Sequence, residues 1–179
     1  MREPSRARFR EVVMPHLGDA LALARWLTGN RHDAEDVVQE ACLKALAGIE
    51  SYAGGNPKAW LLAIVRNSAF TWLARNRPKS LVLVGEAEML EQTTFQADAT
   101  RDALAEGPEA SLIAKAEAAT VEAAIAGLPQ PFREVLVLRD INDLSYREIA
   151  AMLSIPIGTV MSRLSRARGL VLAELERSR

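Results

Sequence analysis

LSYREIAAMLSIPIGTVMSRLSRAR, residues 144–168, decides how the rest of the chain is read. It predicts two short helices joined by a tight turn. Ser145 is a good N-cap, and Glu148, three residues on, completes an S-x-x-E capping box. Ile149, Ala150 and Leu153 continue the first helix. Ser154-Ile155-Pro156 ends it, because proline has no backbone donor and biases its predecessor away from helical angles. Pro156 fits the first turn of the helix that follows. In that second helix Ile157, Val160, Leu164, Ala167 and Val171 share one stripe, the expected buried side. The other side carries Gly158, Ser162, Ser165, Arg166 and Gly169, with Thr159, Met161 and Arg168 beside them. Small residues let a helix approach a groove closely, and arginines reach phosphates or guanine edges. A helix-turn-helix lays its second helix in the major groove in this way. The arginines alone also fit a charged, solvent-facing helix end.

A chain of 179 residues holds one ordinary domain or two small ones. Its composition is 49% apolar but only 5% aromatic, with abundant Ala and Leu, which favours helices over sheet. The formal net charge is −1, an unusual footprint for a nucleic-acid binder, but the charges are segregated. Lys58, Arg66, Arg75, Arg77 and Lys79 form one basic block; Arg163, Arg166, Arg168, Arg177 and Arg179 form another. Between them Glu86, Glu88, Glu91, Asp98, Asp102, Glu106 and Glu109 face a single Arg101. No apolar run approaches the ~20 residues that span a bilayer. MREPSRARFRE at the N-terminus lacks the apolar core of a signal peptide, so a cytoplasmic location is expected. The lone Cys42 excludes an internal disulfide framework and a cysteine-based zinc finger. No Gly-rich phosphate loop is present, and His16 and His32 have no metal-ligand pattern, so no catalytic residue, metal or cofactor is expected.

From the N-terminus, Phe9, Val12, Val13, Leu17, Leu21, Ala24 and Leu27 predict a helix over about 6–27, kinked or restarted at Pro15. Gly29 ends it. Asn30 or Asp33 caps a second helix running to about Ile49. Its apolar face is Ala34, Val37, Val38, Ala41, Cys42, Ala45 and Leu46. Its other face holds Asp33, Asp36, Gln39, Glu40 and Lys44, where early acids also suit the positive end of the helix dipole. Residues 50–56 form a loop. Asn56-Pro57 opens a third helix to about Arg77. Leu61, Ile64, Val65, Ala69 and Trp72 are its candidate core. Lys58, Trp60, Arg66, Asn67, Arg75 and Arg77 remain, a mixture of cations and flat surfaces suited to single-stranded DNA, although both tryptophans also fit an ordinary core. Pro78 closes this helix. Residues 79–108 read as an acidic linker with a possible short helix near 86–92. A further helix over about 109–126 ends at Gly127, and another runs from Pro131 to about Ile141. Arg139 and Arg147 suit either phosphates or the neighbouring Asp140 and Glu148.

GTVMSRLSRAR, preceded by LPQPFREVLVLRDINDLSYREIAAML, resembles region four of the extracytoplasmic-function (ECF) sigma factors of bacteria. DAEDVVQEACLKAL and WLLAIVRN resemble region two. The resemblance covers most of the chain in the family's order. It implies an all-α fold with two small helical domains: region two over residues 1–78, the linker over 79–108, and region four over 109–179. It implies that Asp33, Asp36, Gln39 and Glu40 dock on the clamp helices of core RNA polymerase. Tyr52, Asn56, Lys58, Trp60, Arg66 and Asn67 then serve the melted minus-10 element, with the loop from Tyr52 to Asn56 capturing a base. Thr159, Met161, Ser162, Ser165, Arg166 and Arg168 serve the minus-35 duplex. Thr71 departs from the aspartate of many members. The implied partners are core polymerase, promoter DNA and an anti-sigma factor, without membrane insertion of the chain itself.

Two other functions are compatible with a helix-turn-helix. A stand-alone regulator of the two-component type needs an N-terminal receiver of alternating strands and helices, and none is visible before Leu81. A sigma mimic that sequesters a regulator could dispense with Arg66, Asn67, Ser162, Arg166 and Arg168. Cys42 reads as core rather than as a redox sensor, and a sensor formed with His16 and His32 lacks any ligand spacing.

Overall fold

The computed structural model describes residues 3–76 and 108–178, with side chains over 5–76 and 117–178. The described residues are helical and include no strand. The linker expected over 79–108 lies almost wholly outside them, as do Arg77, Pro78 and Lys79.

Pro15 divides the first predicted helix in two. Helix α1 spans Glu3–Val12. A 3-10 turn at Met14–His16 follows, with the proline in its first turn, and α2 restarts at Leu17–Thr28. Proline is tolerated there because a first-turn N–H has no helical partner in any case. Gly29, at φ 84°, ends α2 in the left-handed region, where a Cβ is costly. Helix α3 spans Arg31–Gly48, and Asn30 is its cap: its side-chain oxygen accepts from the Asp33 backbone N–H at 2.9 Å. Asn56 does the same for α4, Pro57–Asn76, accepting from the Lys58 N–H at 3.0 Å. Helices α2, α3 and α4 pack on one another around Ala20, Leu23, Val37, Ala41, Leu61, Leu62 and Val65, all essentially without solvent exposure. The alanines at 34, 41 and 45 bring the α3 backbone close to its neighbours. In α4 the buried stripe also takes in Leu62, Ser68 and Leu73, whereas Ile64 and Trp72, expected in the core, are only half-buried.

The second module begins with α5, Pro108–Ala126, and α6, Gln130–Leu136. The chain then widens into a π-type turn over Val137–Ile141 before α7, Tyr146–Leu153, and α8, Ile157–Arg177. In the wide turn the Asn142 N–H donates to the Val137 carbonyl at 3.0 Å, and the fully buried Asn142 amide donates to the same oxygen at 3.1 Å. The capping box of α7 is complete. Glu148 accepts from the Ser145 backbone N–H at 2.8 Å, and Ser145 accepts from the Glu148 N–H at 3.3 Å. Ser154 ends α7 at φ 54°, making the turn tight enough for α8 to cross α7.

Val160, Leu164 and Ala167 are the buried stripe of α8, and Val171 is half-buried. Ile157 departs from the expected stripe at 42% exposed. It is the first residue of the helix, one turn before Val160.

The two modules are not separate. Buried apolar side chains run as one continuous cluster from Val13 through α4 into Val135, Leu138, Leu144 and Leu164. Helix α2 meets the π-type turn, and α4 meets α7.

Candidate nucleic-acid interface

Helix α8 presents the face expected of a groove-reading helix. Met161, Ser162, Ser165, Arg166 and Arg168 are exposed and Thr159 is half-exposed, opposite the buried stripe. The Ser162 hydroxyl donates back to the Thr159 carbonyl at 3.1 Å, which keeps it low on the helix surface. The Arg166 guanidinium lies 5.7 Å from the Phe132 ring centroid, so a cation–π contact with α6 fixes its direction. Arg168 donates to both carboxylate oxygens of Asp140, at 2.6 and 3.0 Å. That pair holds the arginine firmly charged. Asp140 had been a candidate partner for Arg139. Instead Arg139 donates to the Leu144 carbonyl at 2.8 Å, lies 3.5 Å from Asp143, and stacks 5.3 Å from the Tyr146 centroid. Arg147 is exposed on α7.

In the first module the α3 acids form an open surface. Asp36 and Gln39 are exposed; Asp33 and Glu40 are half-buried. Glu40 makes an i,i+4 ion pair with Lys44 at 2.7 Å, and Asp33 accepts from the Asn30 amide at 2.5 Å. Asp33 therefore serves the helix start, while Asp36 and Gln39 project from the helix into solvent.

The α4 side is built differently from what its sequence suggests. Tyr52 is buried, with its ring 5.0 Å from Trp60 and its hydroxyl donating to the Gly55 carbonyl at 2.8 Å. The Arg8 guanidinium reaches over the same ring at 5.8 Å. The tyrosine thus braces the loop from within, and residues 53–56 are its exposed part. Gly54 and Gly55, at φ 102° and 94°, allow the loop to turn back. Trp60 is half-buried and Asn67 is exposed. Lys58 lies 3.7 Å from Asp19. Thr71, the departure from the family pattern noted above, donates its hydroxyl to the Asn67 carbonyl at 2.8 Å, a helical self-contact.

Arg66 and Asn56 are each met by a carboxylate from the other module. Arg66 donates to Glu134 at 2.5 Å, with its guanidinium 4.7 Å from the Phe70 centroid. Glu134 is 7% exposed. The Asn56 amide donates to Glu148 at 2.6 Å. Partial burial pushes the Glu148 carboxyl up, but hydrogen bonds from Ser145 and Asn56 and the field of Lys58 together hold it below its ordinary value. The sequence reading missed both acids in this role. One signal existed for Glu134: it shares a helical stripe with Val137 and Leu138, an acid on an apolar face that needs a cationic partner.

Among the described residues no cluster of His, Cys, Asp and Glu is arranged to hold a metal, and no helix is long and apolar enough to cross a membrane.

Comparisons with known proteins agree with the two-part reading. Residues 12–79 match the family model for Sigma-70 region 2, and residues 118–170 match that for Sigma-70, region 4. The chain is 30% identical over 161 residues to the ECF RNA polymerase sigma factor SigW of Bacillus subtilis, covering 89% of this chain and 84% of that one. It is 34% identical over 158 residues to the ECF RNA polymerase sigma factor SigE of Mycolicibacterium smegmatis, covering 88% of this chain but 58% of that longer relative. The fold superposes on the sigma factor RpoE from Bartonella quintana, solved with the anti-sigma factor NepR. The TM-score is 0.67 at 27% identity, over 96% of this chain and 98% of that one. This chain belongs to the extracytoplasmic-function sigma factors of bacterial RNA polymerase.

Proposed function

We propose that the chain binds core RNA polymerase through α3 and directs it to promoters by holding DNA at two places. Residues 1–78 form the module for the melted minus-10 element, and residues 109–179 form the module for the minus-35 duplex, with 79–108 as an acidic tether. The observation that carries this reading is the pair of region matches, in order, on a chain whose α8 exposes Ser162, Ser165, Arg166 and Arg168 opposite its buried stripe. Arg166 reads base edges, since its contact with Phe132 gives it a fixed approach, and Arg168 contacts phosphate. Thr159, Met161, Ser162 and Ser165 shape the close approach to the groove.

Asp36 and Gln39 make the principal contacts with polymerase, flanked by Asp33 and Glu40. On α4, Lys58, Arg66 and Asn67 follow the separated strand, and Trp60 offers an aromatic surface at the melting junction. Asn56 and the exposed loop residues receive an unstacked base, a capture that offsets an unstacking cost of a few kcal/mol. Tyr52 supports that loop by its bond to Gly55. No residue of the chain performs covalent chemistry; its role is to position DNA for the polymerase. It works in the cytoplasm under an anti-sigma factor, the kind of partner with which the Bartonella quintana relative was solved.

Run-off transcription with purified core polymerase tests the proposal. Transcripts with discrete starts that depend on the chain are expected. Polymerase binding without any transcript indicates a sigma mimic instead, and duplex binding as tight without polymerase as with it indicates a stand-alone regulator.

A further inference from the structure

The N-terminal helix lies against the loop assigned to base capture. The Sigma-70 region 2 match begins at residue 12, so α1, Glu3–Val12, precedes it almost entirely. Helix α1 packs on α3 and on the 3-10 turn Ile49–Ser51 that leads into the loop. Two side chains tie it there. The buried Ser5 hydroxyl donates to the Glu50 carboxylate at 2.8 Å. Arg8 donates from Nη2 to the Tyr52 carbonyl at 2.5 Å, and its guanidinium lies 5.8 Å from the Tyr52 ring centroid.

The loop needs such a tie. Ala53, Gly54, Gly55 and Asn56 are exposed, and both glycines have positive φ. Glycine has the most backbone freedom to lose, so a Gly-Gly step does not hold one shape by itself. The far end is fixed by Asn56, whose side chain caps α4. The near end depends on Tyr52, whose hydroxyl holds the Gly55 carbonyl at 2.8 Å only while the ring stays in place. Arg8 meets this tyrosine twice from outside the loop, on its backbone carbonyl and on its ring. A guanidinium suits both contacts, being a planar donor that also stacks on aromatic faces.

We infer that Arg8 is a positioning residue for the minus-10 element: it holds Tyr52, and through Tyr52 the loop of residues 53–56, in the shape that receives the unstacked base. This rests on the assignment of that loop to base capture. Arg8 acts on the loop and not on the DNA. A loop ordered in advance does not have to be ordered on binding, so the fitting base is held more tightly. Loosening it costs discrimination between bases more than general affinity for the strand.

The test compares the full chain with Arg8→Ala, and with Arg10→Ala as the control. Arg10 is exposed and, two residues on, is turned about 200° round α1 from Arg8. Nitrogen-15 relaxation of the free chain reads the loop without polymerase or DNA. The Gly54 and Gly55 amides are expected to pass from rigid, with order parameters of about 0.85, to flexible, below about 0.6, in Arg8→Ala, while α2 to α4 stay unchanged. Holoenzyme then binds fork-junction probes, built on a promoter it transcribes, that carry each base in turn at every single-stranded minus-10 position. Arg8→Ala is expected to lose roughly tenfold in discrimination at one position, with its minus-35 preference and salt slope as in wild type. Arg10→Ala is expected to match wild type in loop order and discrimination. Glycine amides already flexible in wild type, or no looser in Arg8→Ala, overturn the inference, as does unaltered discrimination. A salt slope shallower by about 0.7 in Arg8→Ala means that the arginine touches a strand phosphate itself, which also overturns it. Wild type that discriminates at no single-stranded position removes the loop's assignment, and this inference with it, a failure seen before any variant is made.

Discussion

Arg168 offers the sharpest quantitative test of how α8 meets DNA. Its Nε and Nη2 donate to the two oxygens of Asp140 at 3.0 and 2.6 Å, and both side chains remain partly in solvent. Exposed ion pairs are generally worth about 0.2–1 kcal/mol, and two-point geometry favours the upper end. If Arg168 leaves Asp140 to reach a phosphate, Asp140→Asn removes that competitor. Promoter affinity then rises by up to about fivefold, the equivalent of 1 kcal/mol. Arg168→Ala has the opposite effect. It weakens binding and makes the dependence of log K on log salt shallower by about 0.9, the share of one phosphate contact. In the Arg168→Ala background, Asp140→Asn changes little, because its effect passes through the arginine. The assay is anisotropy of holoenzyme on a promoter duplex across a range of KCl concentrations. Unchanged affinity and slope in Arg168→Ala refute the phosphate contact. Weaker binding in Asp140→Asn shows instead that the aspartate holds the arginine in its working position.

Arg166→Ala is expected to lower promoter use by roughly tenfold or more and to relax preference at one base position, as loss of a base contact worth about 1–3 kcal/mol does; sequencing selected promoters measures this, and an unchanged preference rules out base reading. Asp36→Arg should abolish co-purification with core polymerase while leaving the helical signal and melting temperature intact, because Asp36 is exposed; retained binding removes α3 as the docking face. Ser145→Ala should destabilise the chain by about 1 kcal/mol through loss of the α7 cap, measurable by urea unfolding. Glu148 supplies a pH dependence. Its carboxyl is held low in the folded chain, so its contribution is complete above the ordinary glutamate value near 4.3 and is lost as pH falls through the folded value. The melting temperature of wild type should therefore exceed that of Glu148→Gln near neutral pH, and the gap should close in acid, once the pH has fallen below the depressed folded value. A gap that persists in acid contradicts the carboxylate's role.

Local chemistry made the helices legible. Pro15, Gly29, Asn30, Asn56, Gly127 and Ser145 act within a few residues of themselves, and each starts or stops an element where its backbone preference demands. The exposed face of α8 was equally readable, because its stripe recurs with the helical period over Val160, Leu164 and Ala167. Ile157 broke the pattern: as the first residue of α8 it fits the helical period yet stays 42% exposed. Tyr52 appeared available in a Gly-rich loop, yet Trp60 and the Gly55 carbonyl draw it inward. Arg66 and Asn56 were recognised as strand-binding candidates, but their partners Glu134 and Glu148 come from a module more than sixty residues away. The π-type turn at Val137–Ile141 was read as plain helix, since no residue type marks one extra residue per turn.

The claim that two modules hold two forms of DNA is tested most directly by footprinting the holoenzyme on a promoter taken from a random library. Hydroxyl-radical cleavage reports duplex contact and permanganate reports unpaired thymines. The expected pattern is a protected duplex block upstream and a separate block of reactive thymines downstream, the first fading in Arg166→Ala and the second in Arg66→Ala. A single continuous duplex footprint with no reactive thymines contradicts the account.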